Sequence, residues 1–229
     1  MEPLKRNENY GGPAGPVVLA IMDGVGIGKN PETDYVKIAE TPNLEWLREH
    51  ALYTELKAHG TAVGLPDDSD MGNSEVGHNA IGCGRVFAQG AALVNQAIRG
   101  GSMFEDGTWR ELVANVKEKD STLHFIGLFS DGNVHSNLAH LEAMLGRAKQ
   151  EGVKKARIHA LIDGRDVPPT SALDYVDRFE KFLADINADG AVDYCIASGG
   201  GRMNITMDRY NADWSMVERG WNAHVKGEA

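Results

Sequence analysis

The run Leu123-His124-Phe125-Ile126-Gly127-Leu128-Phe129-Ser130-Asp131-Gly132 decides the fold. Apolar and aromatic residues dominate positions 123–129 and stop at an Asp-Gly pair, the pattern of a buried strand running into a turn. Toward the carboxyl terminus, residues 137–150 predict a helix, 156–162 a second strand closed by Asp163-Gly164, 171–186 a second helix, and 192–197 a third strand closed by Ser198-Gly199-Gly200-Gly201. Strand, helix, strand, helix, strand in that order predicts a parallel sheet with right-handed crossovers, hence an α/β fold. Leu173, Val176, Phe179, Leu183 and Ile186 recur at three- and four-residue spacing in the second helix and read as its core stripe, with Thr170 or Ser171 as the cap.

Toward the amino terminus, residues 17–21 form a short apolar run between Pro16 and Asp23-Gly24 and predict another buried strand, with Asp23 at its carboxyl end. An ordinary turn aspartate is the plainer alternative for Asp23, because Asp-Gly pairs commonly mark turns. Thr41 followed by Pro42 predicts a helix through His50, residues 53–57 a further strand, and 59–70 a loop. Asp67, Asp68 and Asp70 in that loop read as solvated acids outside any site. A helix is expected around residues 91–98, between Gly90 and Gly101.

Between these regions lies Asp70-Met71-Gly72-Asn73-Ser74-Glu75-Val76-Gly77-His78-Asn79. Gly72 permits a sharp turn or a close approach, and residues 75–81 can continue as helix, which puts Ser74 at the helix's positive end, where a phosphate is favoured. A plain capping serine is the competing reading.

Composition limits the function classes. The chain has 229 residues, room for one large domain or two small ones, and its 42% hydrophobic content suffices for a core. A formal charge of -10, from 23 basic against 33 acidic residues, argues against nonspecific binding to nucleic acid or acidic membranes. An anionic ligand would therefore be held by local arginines. Cys83 and Cys195 lie far apart without a C-x-x-C partner, which points to neither a thiolate zinc site nor a disulfide framework and fits a reducing cytosol. Residues 1–16 read as a loose polar leader, and no run approaches the ~18 apolar residues of a membrane helix.

Open α/β sheets bind ligands beyond the carboxyl ends of their strands. His135, Arg165, Asp166 and Arg202 all follow such ends here. Arginine offers a planar, permanently charged fork for carboxylate or phosphate, histidine exchanges protons near neutral pH, and Asp166 suits a hydroxyl or acid/base role. Gly24, Gly26 and Gly28 miss the dinucleotide fingerprint because Lys29 stands where its third glycine belongs, and no Lys-Ser or Lys-Thr follows the later glycine run as a P-loop requires.

Five motifs in register carry a resemblance: Met22-Asp23-Gly24-Val25-Gly26, the ten residues around Ser74, Ser130-Asp131-Gly132-Asn133-Val134-His135-Ser136, Asp163-Gly164-Arg165-Asp166-Val167-Pro168-Pro169, and Ser198-Gly199-Gly200-Gly201-Arg202 with Met207-Asp208-Arg209. Together they make the chain resemble cofactor-independent phosphoglycerate mutase over nearly its whole length. The resemblance implies interconversion of 3-phosphoglycerate and 2-phosphoglycerate through a phosphoserine at Ser74. It further implies two manganese ions, replaceable by magnesium or another divalent ion, and no 2,3-bisphosphoglycerate. Asp23 and Ser74 would be ligands of one ion, and His135, Arg165, Asp166, Arg202 and Arg209 would bind substrate.

The same resemblance implies an amino-terminal portion of a cytoplasmic enzyme. Residues 1–88 would begin an alkaline-phosphatase-like phosphatase domain and residues 89–229 an α/β transferase domain, both partial. The later aspartates and histidines of the two-metal site would lie outside the chain, as would a basic cluster for substrate phosphate. Such a chain is expected to be inactive alone and to self-associate through exposed apolar surface, whereas the full-length form would be monomeric, without nucleic-acid or membrane partners. The alternatives are a related metal-dependent phosphohydrolase or phosphomutase acting on another substrate, and a noncatalytic fragment that docks on its missing half.

Overall fold

The computed structural model describes residues 3–26, 28–207 and 211–228. The chain divides into two compact units, Met1–Leu56 and Lys57–Ala229.

The first unit contains α1 (Tyr35–Ile38) and α2 (Pro42–His50). Asp34 caps α1 by accepting from the Lys37 N–H, while α2 starts as expected at Pro42, whose missing N–H costs nothing in a first turn. Neither residues 17–21 nor residues 53–57 form a strand, which corrects the sequence expectation for both. Their apolar side chains stand in solvent, with Val18 86% exposed, and none of the unit's described residues is buried. A strand is stabilised by a ladder partner and a covered face, and among the described residues these segments have neither.

In the second unit a 3-10 turn (Gly60–Val63) interrupts the expected loop. It precedes α3 (Ser74–Cys83), α4 (Gly90–Arg99), α5 (Ser102–Glu105) and α6 (Gly107–Glu118). Then come β1 (Leu123–Phe129), α7 (Leu138–Gln150), β2 (Lys155–Ile162), α8 (Ala172–Asn187) and β3 (Asp193–Gly201), followed by α9 (Trp214–Trp221) and a π-helical turn (Asn222–Lys226). The three strands are parallel in the order β1-β2-β3, so the α/β expectation is met. Among the described residues no helix is long and apolar enough to cross a membrane.

Helices α7 and α8 cover one sheet face. Phe129, Ala156, Ile158, Ala160 and Tyr194 from the strands meet Leu138 and Leu145 of α7 and Phe179 and Leu183 of α8. Phe129 and Phe179 pack edge to face with centroids 4.9 Å apart. A contiguous cluster joins Trp109, Val113 and Val116 of α6 to Leu123, Ala148 and Val153. The stripe on α8 begins one turn later than its spacing suggests. Leu173 is 70% exposed in the first turn, and the buried run starts with Tyr175 and Val176.

The third strand extends four residues past its expected end because pairing with β2 continues, Gly201 lying beside Ile162, and the Arg202 N–H still donates to the Ile162 carbonyl at 2.9 Å. A register shift beside Ile158 and His159 leaves Ala197 without a partner and brings Ser198 opposite His159.

Candidate active site

Three loops leave the carboxyl ends of the strands and meet. After β1, the buried Ser130 turns the chain, its Oγ accepting from the Gly132 N–H at 3.1 Å. Gly132 is required by proximity: a Cβ there would come within 2.8 Å of the Asp166 carbonyl, so a side chain would force the first loop away from the second. After β2, the Asp163 carboxylate turns back on its own loop and accepts from the N–H groups of Arg165 and Asp166, each at 3.2 Å. After β3 comes Arg202, whose Nη1 donates to Asp163 at 2.8 Å and to Asp166 at 2.9 Å.

The ion pair at the centre is dry, the Arg202 side chain being 5% exposed and that of Asp163 fully covered. Burial pushes the Asp163 carboxyl up, but the Ser130 hydroxyl, the Asp166 N–H, the Arg202 guanidinium and the Arg165 N–H outweigh it and hold the group below its ordinary value. Asp166 thereby acquires a fixed orientation, and its Oδ2 also lies 3.9 Å from Nε2 of the half-exposed His135. Asp131 accepts from the Tyr175 hydroxyl at 2.5 Å, and burial first, then this carboxylate, pushes the Tyr175 phenol up to about 12.

The sequence-derived residues thus fall into distinct settings. His135, Asp166 and Arg202 come together. Arg165 is exposed at the rim, and among the described residues its guanidinium has no acidic partner. Arg202 is not a free clamp: its charge is shared between two carboxylates, so its first effect is to set Asp166. Arg209 lies outside the described residues. Asp163 and Ser130 complete the cluster; each opens one of the motifs of the family resemblance, but neither was expected as a site residue. The Asp-Gly pair closing β2 was a visible signal for Asp163, whereas nothing local distinguishes Ser130.

Ser74 is the first residue of α3, and Asn73 rather than Ser74 is its cap, accepting from the Val76 N–H at 3.0 Å. The close approach that Gly72 permits is to the protein itself, since a Cβ there would meet the Ala58 carbonyl at 1.9 Å. Four residues on, His78 places Nδ1 2.7 Å from the Ser74 carbonyl and 3.1 Å from the Ser74 hydroxyl. A carbonyl can only accept, so the hydrogen is assigned to Nδ1, and the hydroxyl meets a donor rather than a base. The i, i+4 spacing was a legible signal for this contact. A cleft of about 260 Å³ runs between α3 and the first loop, lined by Asn73, Glu75 and Asn79 on one side and Asn133 and Val134 on the other.

Asp23 belongs to the first unit, in a turn where its carboxylate accepts from the Gly24 N–H at 2.9 Å and Gly24 has a positive φ of 76°. A carboxylate and a serine oxygen are hard donors suited to manganese or magnesium. Among the described residues, however, no group of three or more His, Cys, Asp or Glu side chains is arranged to hold a metal, so they do not make a complete cation site.

The fold and the cluster define an α/β protein with a charged site at the carboxyl edge of a parallel sheet. Residues 94–229 match the family model described as the amino terminus of BPG-independent PGAM, and the chain belongs to that family. It is 52% identical over 98% of its length to a probable 2,3-bisphosphoglycerate-independent phosphoglycerate mutase of Leptospira interrogans, and 51% identical over 93% to the mutase of that description from Trypanosoma brucei brucei. The crystal structure of Leishmania mexicana phosphoglycerate mutase at low cobalt concentration superimposes on 91% of the chain with a TM-score of 0.78 and 50% identity. The chain spans about two-fifths of the length of these relatives, 41% of the L. interrogans protein and 38% of each of the other two.

Proposed function

We propose that this chain is the amino-terminal part of a phosphoglycerate mutase that interconverts 3-phosphoglycerate and 2-phosphoglycerate without 2,3-bisphosphoglycerate. The observation that carries the proposal is the meeting of His135, Asp166, Asp163 and Arg202 at the sheet edge in a member of the BPG-independent family. In this reading residues 1–88 begin an alkaline-phosphatase-like domain, residues 89–229 begin a transferase domain, and the complete protein is a cytoplasmic monomer.

Ser74 Oγ is the proposed nucleophile. It forms a bond to phosphorus as the bond from phosphorus to the substrate oxygen breaks and that oxygen takes up a proton. The other hydroxyl of the glycerate then gives up its proton and bonds to the phosphorus as the bond to Ser74 Oγ breaks, which restores the serine hydroxyl. The positive end of α3 favours phosphate at Ser74. Because His78 offers Ser74 a donor, proton removal from the hydroxyl falls to another agent. A divalent ion, manganese in our reading, would lower the serine pKa and offset phosphate charge when bound. Asp23 and Ser74 would supply some of its ligands, and the part of the relatives beyond this chain the rest. Arg165 at the rim, with Arg209, is assigned to the substrate's carboxylate or phosphate. Asp166, held by Arg202, is assigned to the glycerate hydroxyls, with His135 beside it to exchange the proton.

The test is a coupled mutase assay with manganese on the chain alone and combined with the carboxyl-terminal remainder of a relative such as the L. interrogans protein. Turnover and a phosphoserine peptide containing residue 74 are expected only in the combined sample, with both lost in Ser74→Ala. Phosphate release without formation of 2-phosphoglycerate would reject the mutase reading, and phosphate trapped on another serine would reject Ser74.

A further inference from the structure

Asp70 and Asn133 lie outside the proposed chemistry, yet they join its two main loops. The Asn133 side-chain amide donates to Asp70 Oδ1 at 2.7 Å, and its Oδ1 accepts from the Asn137 amide at 2.7 Å. Asn137 in turn caps α7, its Oδ1 accepting from the Ala139 N–H at 2.9 Å. At the other end, Asp70 Oδ2 accepts from the Asp67 N–H at 2.8 Å and the Asp70 carbonyl from the Gly60 N–H at 3.1 Å. Asp70 is four residues before Ser74, and Asn133 two before His135.

This chain of bonds has one direction. A carboxylate only accepts, so Asn133 must turn its NH2 toward Asp70 and its oxygen toward Asn137, which must then turn its own oxygen to the helix. The relay thus runs from a negative carboxylate to the positive end of α7, and every bond in it is oriented by its neighbours. Asn133 also sits at a positive φ of 59°, a conformation that asparagine tolerates and glycine would tolerate better. Backbone geometry alone therefore does not require asparagine, whereas the two side-chain bonds do. The loop acid Asp70, expected to be merely solvated, is instead half-buried and engaged.

We propose that Asn133 is a positioning residue that locks the Ser74 loop to the His135 loop through Asp70 and Asn137. Its catalytic consequence rests on the mutase reading given above, while the lock itself does not.

A reciprocal exchange separates the two. In Asn133→Asp two carboxylates face each other. In Asp70→Asn the amide has a single oxygen, which can accept from Asn133 or from the Asp67 N–H but not from both, so one anchor of the relay is lost. The double variant restores every bond: the carboxylate introduced at position 133 would accept both from the amide introduced at position 70 and from Asn137, and the oxygen of that new amide still accepts from the Asp67 N–H. Asn133→Gly keeps the backbone conformation and removes only the relay. Amide hydrogen exchange on the 229-residue chain should show protection at Gly60 and Ala139 falling about fivefold to tenfold in each single variant and recovering to within about twofold in the double variant. Additive losses in the double variant, or losses confined to one loop in Asn133→Gly, would overturn the lock. In the combined mutase assay, single variants should lower kcat by about tenfold with KM little changed, and the double variant should regain most of it. Intact kcat in the single variants, or no recovery in the exchange, would overturn the positioning role. No turnover in the unsubstituted protein would reject the mutase reading and leave the exchange experiment to decide the lock.

Discussion

At the residue scale, the Asp163 carboxylate decides how the sheet edge is built. It takes two backbone N–H groups and a guanidinium, and in doing so fixes the second loop and the arginine that orients Asp166. Its folded-state pKa lies below the ordinary value of 3.8, so it binds its proton less readily folded than unfolded. The stability it contributes is therefore fully present above the unfolded pKa and is lost as pH falls through the folded one. Urea unfolding of the chain and of Asp163→Asn should show a gap at pH 7 that narrows steadily below about pH 4. A gap independent of pH would contradict this assignment. The same residue shows what local sequence conveys: Asp-Gly after an apolar run marked the turn that supplies the Arg165 and Asp166 N–H groups, but the side chains of Ser130 and Arg202 are distant in sequence, and only the fold brings them near.

Among the elements, the strand-helix repeat from Leu123 was legible because each strand is a short apolar run that ends in a turn signal and each helix carries a periodic apolar face, although Ile126 of β1 is 59% exposed and Tyr194 is the one buried residue of β3. Helix α6 was not among the elements expected from the sequence, although Asp106 as its cap and Trp109, Val113 and Val116 on one face carried the same kind of signal. Helix α8 shows where periodicity overreaches. Phe179 is fully buried between the sheet and Phe182, whereas Leu173, on the same stripe, is in solvent. Phe179→Ala should cost about 3 to 5 kcal/mol, while Leu173→Ala should stay within about 0.5 kcal/mol, both measured by urea unfolding. Equal effects would mean that α8 packs as its spacing alone would have it.

For the whole molecule, burial is unevenly shared. Among the described residues, every buried hydrophobic one lies at or beyond Val63, and none of the first unit is buried. Native-state proteolysis should therefore cut within residues 3–56 at low protease while the sheet with α7 and α8 survives, as followed by mass spectrometry. First cuts within β1 to β3 would refute this. The sequence by itself determined the parallel order of strands and helices, the serine at a helix start and the acid, histidine and arginine at the strand ends, because these depend on periodicity and turn chemistry over a few residues. Tertiary structure alone decided that residues 17–21 and 53–57 form no strand, that Arg202 is engaged by two carboxylates, and that Asp70 reaches Asn133. Each of those depends on a partner far along the chain, which local pattern does not encode.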